Sequence, residues 1–114
     1  MKTIDDIYST IASNINSVIN EEWIGAELNI EAIGEMASFT GNYVNKNDQK
    51  QQLDVDQFDF DLTFDILELH KMTTEDDRNR WNRAIFYLQS DGEFDMQFIW
   101  DQELHDEVVR LSKG

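Results

Sequence analysis

Residues Trp81–Trp100 read WNRAIFYLQSDGEFDMQFIW, and this stretch decides how the rest of the chain can fold. Ala84, Phe86 and Leu88 alternate with Ile85, Tyr87 and Gln89. After a break, Phe94, Met96, Phe98 and Trp100 alternate with Asp95, Gln97 and Ile99. A period of two sends successive side chains to opposite faces of a strand, so each run carries one strongly apolar face. The break, Ser90-Asp91-Gly92-Glu93, has the chemistry of a tight turn: Asp can hydrogen-bond its own backbone, and Gly accepts positive φ. A hairpin alone is marginal in water, so this one requires more strands or a covering helix.

The upstream chain supplies both. From Thr3 to Ile19 the apolar residues Ile4, Ile7, Tyr8, Ile11, Ile15, Val18 and Ile19 form one helical stripe. Thr3 can cap this helix, and Asp5 and Asp6 complement the dipole in its first turn. Isoleucines are mediocre helix formers, so packing rather than propensity must hold it. Trp23 to Ala32 alternates Ile24, Ala26, Leu28 and Ile30 with Glu27, Asn29 and Glu31, which predicts a strand with one wet face. Ile33-Gly34-Glu35 can turn the chain, and Met36 to Val44 can return beside it, with Gly41 marking a bulge or a close backbone approach. Asn45 to Gln52, NKNDQKQQ, is polar without periodicity and reads as a mobile loop.

Between Asp54 and Met72 two periods compete. Phe58, Phe60, Leu62, Phe64 and Ile66 alternate as in a strand, whereas Phe60, Phe64, Leu67 and Lys71 follow helical spacing. Periodicity leaves both open. Thr73 to Asn79 reads as a polar connector, and Asp101 can cap a last helix bearing Leu104, Val108 and Leu111, with Arg110 and Lys113 near its end. These elements predict a single α+β domain over residues 1–114. Its antiparallel sheet has about four strands built from two hairpins, with helices on one face and the order α-β-β-α-β-β-α.

Composition narrows the chemistry. The chain of 114 residues is 40% hydrophobic, with seven Phe, three Trp and three Tyr, enough for a core and unlike a disordered acidic tail. It has no cysteine, which excludes disulfides and thiolate chemistry. The N-terminus carries acids inside its apolar pattern and lacks a signal-peptide core, and no run approaches the ~18 apolar residues of a membrane span. The expectation is a cytoplasmic protein. Twenty-four acids against nine Lys and Arg make the formal charge −15. Such a chain repels nucleic acid and anionic membranes and is drawn to basic surfaces.

Catalytic and cofactor signatures are absent from the sequence. There is no G-x-S-x-G elbow, phosphate-binding glycine loop, H-E-x-x-H or Cys/His cluster, and no cofactor is expected. His70 and His105 read as isolated residues of surface or core. Asp54, Asp56, Asp59 and Asp61 begin like a calcium loop, but the sixth position is Asp59 where that loop needs Gly, and no metal is expected. Carboxylate pairs suited to acid–base work arise by chance among so many acids, so a small hydrolase is the minor alternative. Two acidic groups remain. Asp59, Asp61, Asp65 and Glu68 share one segment, and Asp95, Asp101, Glu103, Asp106 and Glu107 crowd the far end.

Two segments carry a family likeness. IYSTIASNINSVINEEW (Ile7–Trp23) and WNRAIFYLQSDGEFDMQFIWD (Trp81–Asp101) resemble the YezG-like immunity proteins, small bacterial antitoxins that neutralise polymorphic toxins, often nucleases. The first segment is similar to the family's opening helix running into Glu-Glu-Trp. The second is similar to its Trp, apolar strand, Gly-containing turn and aromatic-Asp ending, with Glu93 in place of the usual basic residue and Trp100 in place of the usual Tyr. Together they cover about a third of the chain. The resemblance implies a helix between the two hairpins, hence over Asp59 to Met72, and a function of binding without catalysis. Its cognate partner would be a toxin, such as a C-terminal nuclease domain. Charge, rather than the likeness, nominates Asp59, Asp61, Asp65, Glu68, Asp101 and Asp106 as partner-binding residues. An acidic adaptor or nucleic-acid mimic acting on a host protein is the alternative.

Overall fold

A computed structural model describes residues 3–74 and 80–113, with the backbone alone for 112–113. The chain runs α1 (Ile4–Val18), β1 (Trp23–Ile33), β2 (Met36–Asn45), β3 (Lys50–Gln52), a 3₁₀ turn (Val55–Gln57), α2 (Leu62–Thr74), β4 (Arg83–Gln89), β5 (Phe94–Ile99) and α3 (Gln102–Lys113). The strands form one antiparallel sheet in the order β3-β2-β1-β4-β5. The fold is α+β, as expected.

The opening hairpin behaves as its alternation requires. Ala84 pairs with Phe98, Phe86 with Met96 and Leu88 with Phe94, so the apolar residues of β4 and β5 share a face. At the turn, Glu93 N–H donates to the Asp91 carboxylate at 2.9 Å, and Gly92 takes φ +98°. The demand for more partners is met by β1, whose Ala26, Leu28 and Ile30 lie opposite Leu88, Phe86 and Ala84. Helices α1 and α2 cover this face with Ile7, Ile11 and Ile15 from one and Leu62, Ile66 and Leu69 from the other, all buried. Each such side chain contributes about 1.5–3 kcal/mol on leaving water, which offsets the weak helix propensity of the isoleucines. Thr3 forms a full capping box with Asp6 at the head of α1.

Gly41 is a close approach, as its place in β2 anticipates. Leu53 crosses it, donating its N–H to the Gly41 carbonyl at 2.9 Å, and a Cβ there would stand 2.5 Å from the Glu27 carbonyl oxygen. Three expectations need correction. The sheet has five strands rather than four, because part of the polar stretch expected as a loop forms β3 and pairs with Asn42–Val44. Buried Asn45 organises the turn before it: its side-chain oxygen accepts from the N–H groups of Asn47 and Gln49, both at 3.0 Å, while Asp48 takes φ +64°. Helix α2 begins at Leu62 rather than Asp59 and runs through Thr73 and Thr74; the rest of the expected connector, 75–79, lies outside the described residues.

The third correction concerns α3. Asp101 caps it as expected, accepting the Leu104 N–H at 3.0 Å. The helix nevertheless buries none of its described residues fully, and Leu111 is exposed. Its residues Leu104, His105, Val108 and Val109 flank a cavity where β1 ends and β4 begins. Buried Asn82 ties that end together. Its N–H donates to the Ile99 carbonyl, and its side chain bonds the Asp101 backbone in both directions at 2.8 Å. The side chain of Lys113, expected near the helix end, lies outside the described residues.

Candidate partner-binding surface

The head of α2 is shaped by its connection to α1. Asn14, nearly buried in α1, accepts the Asp59 N–H on its side-chain oxygen at 2.6 Å, and Asp59 in turn accepts the Asp61 N–H at 3.0 Å. The chain therefore turns over at Phe58–Asp61 and starts the helix with Asp61 and Asp65 around its N-terminal end, where negative charge complements the dipole. With 3.6 residues per turn, Asp61, Asp65 and Glu68 fall along one flank of α2, beside the buried stripe of Leu62, Ile66 and Leu69.

Two phenylalanines complete this surface. Phe60 is 80% exposed and Phe64 57%, and their rings meet edge-to-face with centroids 5.8 Å apart. Phe58, just before them, turns the other way and packs on Phe39. The site is thus an exposed aromatic pair edged by Asp59, Asp61, Asp65 and Glu68. Aromatic anchors with a polar rim are the usual anatomy of a protein–protein contact.

The other two nominated acids lie toward the opposite end of α2, and the structure does not bring them into the same patch. Asp101 is engaged internally. Its carboxylate accepts the Leu104 N–H and the Arg83 guanidinium, the latter at 2.7 Å, and these two contacts, the backbone one foremost, hold its pKa below the ordinary carboxylate value. Arg83 also pairs with Glu31 across the sheet. Asp106 is exposed on α3 and accepts from the Gln102 side chain at 2.9 Å.

Two features went unread in the sequence. Phe60 and Phe64 fit either period as core residues, and only their displacement from the Leu62/Ile66/Leu69 stripe signals exposure. His70 and His105, read as isolated, both line the cavity beneath α3. Neither belongs to a metal cluster: among the described residues no three His, Cys, Asp or Glu side chains converge as metal ligands. Among the described residues no helix is long and apolar enough to cross a membrane. Compared with known proteins, the chain matches no family model and no curated protein.

Proposed function

We propose that this chain is an immunity protein that binds the basic domain of a cognate toxin, a nuclease by preference, and blocks access of its substrate. The observation that carries this reading is the surface at the head of α2, where two largely exposed phenylalanines are edged by four carboxylates in a chain of net charge −15. A nuclease site is basic because it binds a polyanion, so a rigid array of carboxylates is attracted to it and occupies the place of phosphate charge. A specific contact would bury about 1,600 Å² in total, with a few anchors supplying most of the energy. The likeness of Ile7–Trp23 and Trp81–Asp101 to the YezG-like antitoxins supports the same reading.

The test is direct. The chain is mixed at equal concentration with the basic nuclease domain of a candidate toxin from a neighbouring gene, and nuclease activity is followed. Inhibition at one-to-one stoichiometry is expected. Reversing charge with Asp61→Lys and Asp65→Lys should slow association and flatten its salt dependence. Full nuclease activity at excess of the chain would overturn the proposal, and unchanged kinetics in the charge-reversed protein would remove the electrostatic part.

A further inference from the structure

The cavity beneath α3 differs in chemistry from the rest of the molecule. It has a volume of about 420 Å³ and is walled by the ends of β1 and α2, the residues entering β4, Trp100 and one side of α3. That volume lies within the ~300–1,000 Å³ range of small-molecule sites. In a chain with 24 acids, none of the described residues lining it is Asp or Glu, whereas Arg80 and both histidines of the chain are there.

Its walls are aromatic and ordered. Trp81, 2% exposed, donates its indole N–H to Thr73 at 2.7 Å and meets the His70 ring edge-on at a centroid distance of 4.7 Å. The His70 Nε2–H donates to the Trp81 carbonyl at 2.8 Å, a carbonyl being able only to accept, which leaves Nδ1 unused by that bond. Trp100 has the Arg80 guanidinium 4.3 Å from its ring centroid and the His105 ring at 5.0 Å. Among the described residues, Arg80 pairs with no carboxylate and the His105 ring nitrogens have no hydrogen-bond partner. Leu104 and Val108 of α3 close the apolar side.

Among the described residues, a cation paired with no carboxylate, imidazole nitrogens without a partner and tryptophan walls converge on one ligand chemistry. We propose that this cavity binds a planar organic anion, an aromatic carboxylate whose ring lies against Trp81, Leu104 and Val108 and whose charge meets Arg80 and His105. The inference stands apart from toxin binding, because the cavity and the head of α2 lie toward opposite ends of that helix.

The probe is 2-naphthoate, titrated into the ¹⁵N-labelled protein, with the uncharged 2-naphthamide as its isosteric control. The chain's three indole N–H groups report separately, and Trp23 lies outside the cavity. Saturable shifts of the Trp81 and Trp100 indole signals below about 1 mM naphthoate, with Trp23 unmoved, are expected. The amide and the exposed-site variant Arg80→Ala should each bind about tenfold more weakly, in line with losing one charge-assisted contact. The unchanged Trp23 signal verifies folding of the variant. No saturable shift, or equal binding of acid and amide, would overturn the proposal.

Discussion

Replacing Phe60 and Phe64 together by serine should abolish tight partner binding while leaving the fold intact. A phenylalanine side chain offers about 200 Å², so at 80% and 57% exposure the pair presents roughly 270 Å² to solvent. Complete burial of that area at ~25 cal/mol/Å² would contribute at most about 7 kcal/mol. Ordering and desolvation at the interface consume part of this. A central anchor typically loses at least ~2 kcal/mol on truncation, so the double variant should raise Kd by at least about 30-fold and approach a thousandfold if both rings act as anchors. In the free protein the two rings touch each other at 5.8 Å and leave the buried stripe to Leu62, Ile66 and Leu69. Their loss should therefore lower stability by no more than ~1 kcal/mol, a few degrees of Tm at this chain length. Calorimetric titration against the proposed toxin partner measures the first quantity and thermal melting the second. Retained affinity in a folded variant would refute the assignment of this surface, and a collapse of Tm would refute the claim that the rings serve no core.

Two further outcomes follow from the architecture. Gly41→Ala places a Cβ 2.5 Å from the Glu27 carbonyl and 2.9 Å from Leu53 Cδ1; Leu53 can rotate, but the carbonyl cannot yield without disturbing β1, so urea melts should show a loss of about 1–3 kcal/mol. Gly25→Ala, whose Cβ meets only the Leu88 carbonyl at 3.6 Å, is the control and should melt within ~0.5 kcal/mol of the native protein. Asp101→Asn keeps an acceptor for the α3 cap and removes the charge facing Arg83. Because the folded pKa of Asp101 is lowered, its charge stabilises the protein above the ordinary carboxylate pKa, and that advantage is lost as pH falls through the folded value. Native protein should out-melt Asp101→Asn at neutral pH, and the gap should close well below pH ~3.9; a gap independent of pH would contradict the ion pair.

The hairpins and α1 were legible because their apolar residues keep one period throughout: Ala84, Phe86 and Leu88 point to one face, and Ile7, Ile11 and Ile15 to another. The strand β3 was not, since Lys50, Gln51 and Gln52 are all exposed at a sheet edge and carry no hydrophobic signal. Their pairing is imposed by the side-chain bonds of Asn45, which only the folded chain reveals. The segment before α2 misled for a different reason. Phe58, Phe60 and Phe64 alternate, yet only Phe58 packs on the core, so the strand-like pattern comes from aromatics serving opposite destinations. At the candidate surface the charge of the α2 segment was readable and the aromatic exposure was not. That His70 and His105 line one cavity depends on how α2 and α3 pack at that end of the fold, a tertiary fact with no local signature.

The six nominated acids are not equivalent probes of binding. Asp101 is already satisfied by a helix N-terminus and by Arg83, and Arg83 carries Glu31 as well. Reversing Asp101 would set a cation against a guanidinium and a dipole end of the same sign, so weaker binding in that variant would report damage to the β5–α3 junction rather than lost contact. At the head of α2 the Asp59 carboxylate receives the N–H of Asp61, which precedes the helix, while Glu68 projects from the helix, whose packing depends on Leu62, Ile66 and Leu69. Charge there acts at a distance, and the phenylalanines act on contact. Steering by charge raises the association rate and is weakened by salt, whereas buried anchors govern dissociation. Charge reversal at Asp61 and Asp65 should therefore move the on-rate and its salt slope, while truncation of Phe60 and Phe64 should move the off-rate. A partner that docks elsewhere on the molecule would show neither separation.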